Sequence, residues 1–77
     1  MQKAIYSDDY KSVINKLKEA RIESGLSQEQ VAKKLGKPQS FVSKIELCER
    51  RLDVAELILF AKLYNKSIGF FFKWKLM

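Results

Sequence analysis

The sequence predicts an all-α domain of five short helices, and three observations carry that prediction. Strand punctuation is nearly absent, with one Pro, three Gly and no dipeptide of the Asn-Gly kind that announces a hairpin. Apolar residues recur at helical rather than alternating spacing. Two doubled capping signals, Ser27 with Gln30 and Asp53 with Glu56, mark helix starts. A chain that is 47% hydrophobic and 31% charged reads as globular rather than disordered. Its 77 residues suffice for one domain spanning 1–77, with a core so thin that nearly every patterned apolar residue must contribute to it.

Each element has its own local cause. Ser7 followed by Asp8 and Asp9 reads as an N-cap with acids that complement the helix dipole. The segment behind it carries Val13, Ile14, Leu17, Ala20 and Ile22 on roughly one face, and Gly25 supplies a left-handed stop, so the first helix runs from about Asp8 to Ser24. The second opens on the Ser27–Gln30 box with Leu26 and Val31 as the hydrophobic staple, and stops at Gly36. Lys37 precedes a proline and is pushed toward extended geometry, while Pro38 suits the first turn of a third helix ending near Leu47. Gly36-Lys37-Pro38 is then the tight turn of a helix-turn-helix. Asp53 and Glu56 open the fourth helix, with Leu52 and Leu57 as its staple and Val54, Leu57, Phe60, Ala61 and Tyr64 facing inward. Ser67 caps a last short helix through Phe72; the tail 73–77 is too short to assign.

Charge and chemistry narrow the function classes. Fifteen Lys and Arg against nine Asp and Glu give a net charge of +6, which favours a polyanionic partner, although solubility alone also accounts for it. Much of the excess is local: Lys33, Lys34, Lys37, Lys44, Arg50 and Arg51 are opposed only by Glu46 and Glu49. There is no histidine and a single cysteine, Cys48, so no usual metal site, intramolecular disulfide or Cys/His pair is available. No cofactor-binding glycine loop is present either, and an enzyme is not expected. No stretch reads as a signal peptide or a membrane span, so the expected location is the cytoplasm.

A helix that enters the major groove needs a polar outer face near its N-terminus, because base edges offer donors and acceptors there. Gln39, Ser40, Ser43 and Lys44 form such a face, with Val42 and Ile45 turned to the core; an ordinary solvated face has the same composition. Phe41 leaves two readings open, a contact with a thymine methyl at the protein–DNA boundary or a cover over the rim of the core.

From Leu17 to Phe72 the chain resembles the lambda-repressor/Cro-like superfamily of helix-turn-helix regulators, the XRE family. Residues 26–36, LSQEQVAKKLG, resemble its second helix and turn, and residues 37–46, KPQSFVSKIE, its recognition helix. The resemblance implies a five-helix domain that binds double-stranded DNA. It implies base contacts from Gln39, Ser40 and Lys44, to which Phe41 is added on its boundary reading. It also implies a phosphate contact from Gln28 at the first turn of the second helix, aided by free amides there. Lys37, Ser43, Arg50 and Arg51 are further phosphate candidates, while Lys33 and Lys34 serve the second helix as solvating charge. Arg21 and Glu46 fall where family members tie the first helix to the third with an ion pair. Two positions depart from the pattern. Cys48 stands where a Gly is usual, at a point expected to need positive φ. Pro38 stands where many members have a capping Ser or Thr, and its fixed φ takes over part of that role.

The fourth helix carries more apolar residues than one inward face uses. Ile58, Leu59 and Leu63 are left over, and Phe70, Phe71, Phe72 and Trp74 follow closely, with Phe70 and Trp74 assigned to the interface. Such a surface calls for a partner, and a homodimer is the expectation, ahead of amphipathic docking on a membrane between Lys62, Lys66, Lys73 and Lys75. The expected function is a homodimeric repressor on a palindromic operator. The alternative is a protein-partner module, such as an antitoxin or a phage-type accessory protein, whose DNA binding is secondary.

Overall fold

The computed structural model describes residues 7–72, and among them every regular element is a helix: α1 (Asp8–Glu23), α2 (Gln28–Leu35), α3 (Gln39–Glu46), α4 (Val54–Leu63) and α5 (Ile68–Phe71). The starts of α1, α2 and α4 follow the capping chemistry, whereas Ser67 occupies the N-cap of α5 without a side-chain bond to it. Ser7 accepts the Tyr10 N–H, and both capping boxes are complete, Ser27 with Gln30 and Asp53 with Glu56. Pro38 differs from its expected place. It occupies the N-cap of α3 with extended ψ and contributes no side-chain cap, so the helix begins at Gln39. The ring excludes the αR geometry from Lys37 and offers no acceptor, which leaves the first turn of α3 without a side-chain partner.

The first four helices all stop in the same way. Past each, a residue takes positive φ: Gly25 (74°), Gly36 (69°), Cys48 (60°) and Asn65 (56°). Each stop carries the paired backbone bonds of a Schellman turn. After α3, for example, the Cys48 N–H donates to the Ile45 carbonyl and the Glu49 N–H to the Lys44 carbonyl, at 3.1 and 2.8 Å. Cys48 therefore adopts the left-handed geometry its position demands.

Helix α3 packs on both α2 and α1, and α5 closes against α1. The core holds Val13, Ile14, Leu17 and Ala20 of α1, Val31 and Ala32 of α2, Val42 and Ile45 of α3, Leu57, Phe60 and Ala61 of α4, Tyr64, and Phe71 of α5. Two residues assigned to inward faces lie outside instead. Ile22 is exposed because it falls in the last turn of α1, and Val54 because it opens α4 before the helix reaches the core. No described helix is long and apolar enough to cross a membrane.

Candidate nucleic-acid interface

Helix α3 buries only Val42 and Ile45. Gln39, Ser40 and Lys44 are exposed, Ser43 is half-buried, and Leu47 at the C-cap extends the same outward surface with a large apolar side chain in solvent. In the sequence, Leu47 reads only as the end of the third helix. Its neighbours on the outward stripe, four and seven residues back, were the available signal. The outer face is thus polar at its N-terminal end and apolar at its C-terminal end.

The helix is held from behind by a polar network. Arg21 Nε donates to Glu46 Oε2 at 2.8 Å and Nη2 donates to Oε1 at 3.1 Å, a two-pronged pair between α1 and α3. Arg21 Nη1 donates to the Leu26 carbonyl at 2.9 Å, tying in the loop before α2. The Glu46 side chain is 3% exposed and that of Arg21 12%, so the pair is largely removed from water. Hydrogen bonding to Glu46 pushes the Arg21 guanidinium further above its ordinary range. Gln28 joins the network: its Nε2 donates to Glu46 Oε1 at 2.9 Å, which fixes the side chain at the first turn of α2. Tyr64 lies in the same electrostatic surroundings. Burial pushes its phenol upward, and its hydroxyl has no partner among the described residues.

On the opposite flank, Phe41 turns away from the polar face. Its ring stacks on Phe60 of α4, centroids 6.3 Å apart and planes 10° apart, and it packs on the edge of the core. Of its two readings, these surroundings match the rim of the core. Lys37 Nζ and the Arg50 guanidinium approach the same ring, at 5.4 and 4.6 Å. Arg50 also makes a two-pronged pair with Glu56, at 3.0 and 3.1 Å. That hydrogen bonding raises the arginine and holds the Glu56 carboxyl below the usual range. Among the phosphate candidates, Lys37 and Arg51 are exposed, Gln28 and Ser43 are half-buried, and Arg50 is engaged within the fold.

One unanticipated joint supports this flank. The Tyr10 hydroxyl accepts the Leu52 N–H at 2.8 Å and donates to the Arg50 carbonyl at 3.5 Å, pinning the loop between α3 and α4 to α1. Burial raises the Tyr10 phenol. Nothing local in the sequence links Tyr10 to a loop forty residues away.

The electrostatic balance of the face follows from these pairings. Glu46 and Glu56 are neutralised by Arg21 and Arg50, whereas Lys33, Lys34, Lys37, Lys44 and Arg51 remain exposed around α2 and α3. A short helix with a polar outer face, amid exposed cations and backed by a rigid partner helix, has the geometry of a major-groove reader.

The sequence profile of the helix-turn-helix family matches residues 17–71, well over half of the chain. That span takes in the C-terminal part of α1, from Leu17 onward, and all of α2 to α5. No curated protein matches the chain significantly. The family is one of DNA-binding, non-enzymatic proteins. With five helices among the described residues and the turn at Gly36 in place, the chain belongs to the lambda-repressor-like XRE family of helix-turn-helix proteins, DNA-binding regulators of transcription.

Proposed function

We propose that the protein is a homodimeric repressor that reads a palindromic operator in the major groove. The single observation that carries this reading is the outward face of α3, where Gln39, Ser40 and Lys44 stand exposed on a helix braced by the Arg21–Glu46–Gln28 network. In the proposal, Gln39 pairs with an adenine edge and Lys44 with the O6 and N7 acceptors of guanine, while Ser40 bonds either. Gln28, Lys37, Ser43 and Arg51 bind phosphate and set the register. Gln28 suits this role because Glu46 orients its amide before DNA arrives.

The dimer is supported by the outward side of α4. Ile58 and Leu59 are 39% and 53% exposed, Leu63 is half-buried, and Phe70 lies half-buried on α5. Trp74, assigned to the same interface, lies outside the described residues. Two copies joined through this surface would present their reading helices to half-sites about 34 Å apart. The same apolar surface is what the partner-module alternative needs, and sedimentation of the pure protein separates the two. A stable symmetric dimer favours the repressor; a monomer favours a partner of another kind.

Selection of bound duplexes from random DNA tests the reading directly. It should return an inverted repeat, and Gln39→Ala should lose about 1–3 kcal/mol at one base position only. Uniform weakening across all sequences would remove Gln39 from the base-reading set.

A further inference from the structure

Arg50 sits in the basic stretch just past α3, where a cation would ordinarily serve DNA phosphate. Its guanidinium lies along the surface toward α4 instead, with the side chain 40% exposed. Nη1 and Nη2 meet the two oxygens of Glu56 at 3.0 and 3.1 Å, and Nη1 also reaches the Arg51 carbonyl at 2.8 Å. The same group lies 4.6 Å from the centroid of Phe41, whose ring is stacked in turn on Phe60. Glu56 is itself committed at both ends, since its Oε1 also accepts the Asp53 N–H of the capping box at 3.1 Å. The Arg50 carbonyl is held by Tyr10. One planar cation therefore touches α3 through a ring, α4 through its N-terminal carboxylate and the intervening loop through a carbonyl.

We infer that Arg50 is a positioning residue for DNA recognition, fixing the angle of α3 against α4 through Phe41 and Glu56 rather than neutralising a phosphate. The inference rests on the reading of α3 as the base-reading helix. Its chemical basis is the shape of the guanidinium. A flat fork can pair with both carboxylate oxygens and stack on a ring at once, which an ammonium of equal charge cannot do. Its functional basis is the difference between two kinds of binding. Contact with base edges requires correct register, whereas sequence-independent binding depends on the number of cations near the backbone. Release of the clamp should thus damage the first kind and spare the second. In a dimer joined through α4, the same angle also sets the spacing of the two reading helices.

The test uses the full chain with Arg50→Lys, Arg50→Gln, Glu56→Gln and the double variant that joins Arg50→Lys with Glu56→Gln. Lysine keeps the charge and loses the fork; glutamine at position 56 keeps the capping box and loses the ion pair. Affinity is measured by titration over a salt series, for the duplex selected by the wild-type protein and for a random duplex of equal length. Thermal melting runs in parallel. Each single variant should bind the selected duplex roughly fivefold more weakly, and the double variant no more weakly than either single one. Random-duplex affinity and its salt slope should hold, apart from a small gain where Glu56 loses its charge. The proposal is overturned if Arg50→Lys binds both duplexes like wild type while Arg50→Gln weakens both and lowers the salt slope by about one, because Arg50 is then a phosphate contact. Equal losses on both duplexes that track the folded fraction also overturn it. If the wild-type protein selects no duplex, base reading by α3 fails, and with it the role in recognition. Melting then judges the clamp alone, with additive losses in the double variant counting against it and non-additive losses supporting it.

Discussion

The two flanks of α3 are held by the same chemistry in different surroundings. On one side Arg21 and Glu46 form a two-pronged pair whose side chains are 12% and 3% exposed, with Gln28 and the Leu26 carbonyl completing the shell. On the other, Arg50 and Glu56 form an equally well-aimed pair at 40% and 20% exposure, leaning on the Phe41 ring. The first pair has little water to fall back on, so loss of one partner strands a buried charge. Solvent reaches the second pair, and loss of one partner there is largely compensated by water. Equal hydrogen-bond geometry therefore does not mean equal energetic weight. The buried pair decides whether the helix stays in place, and the exposed one adjusts how it is set.

The largest expected effect is at the buried pair. Arg21→Ala leaves Glu46 with Gln28 as its remaining side-chain donor and should cost about 3 kcal/mol in urea unfolding, with DNA affinity falling only as far as the folded fraction does. Unchanged stability would show that the two flanks are energetically alike after all. A smaller effect is expected between the flanks, at Cys48, where φ is 60°. Cys48→Gly relieves roughly 1 kcal/mol of left-handed strain. It also loses the packing of a half-buried thiol against the core, so the net gain should be about 0.5 kcal/mol. A net loss in the same unfolding measurement would mean that the thiol's packing outweighs the strain.

The smallest effect belongs to the exposed pair, and pH reveals it. Hydrogen bonding to Arg50 lowers the folded-state Glu56 value below its unfolded one. The contribution is therefore complete above the ordinary glutamate value near 4.5 and is lost as pH falls through the lowered folded value. Because both side chains meet solvent, the change should stay below about 1 kcal/mol. Comparison of wild type with Glu56→Gln between pH 7 and pH 3 isolates it: the two stabilities should converge on acidification. Curves that remain parallel would remove Glu56 as the titrating group.

Much of this architecture is legible locally. The two capping boxes place the starts of α2 and α4, and Gly25 and Gly36 the ends of α1 and α2, because each signal acts within one helical turn. The apolar spacing of α3 identifies Val42 and Ile45 as its inward pair and leaves Gln39, Ser40 and Lys44 outside. The same method misplaces Ile22 and Val54, which carry the right hydrophobicity but lie at helix ends with most of the side chain in solvent. It also cannot separate Arg50 from Arg51. The two are adjacent and equally charged, yet one faces Glu56 and Phe41 while the other is exposed.

Local sequence accounts for the elements whose causes are short-range: caps, stops, the turn at Gly36 and the period of each buried face. Family resemblance added the expectation that Arg21 would meet Glu46. Packing of the helices sets the contacts made across the chain, such as Tyr10 with the loop at Arg50 and Leu52, Gln28 with Glu46, and Phe41 with Phe60 rather than with solvent. A cap or a left-handed stop is selected by bonds within a few residues, whereas the partner of a long side chain depends on which helices the core has brought alongside it.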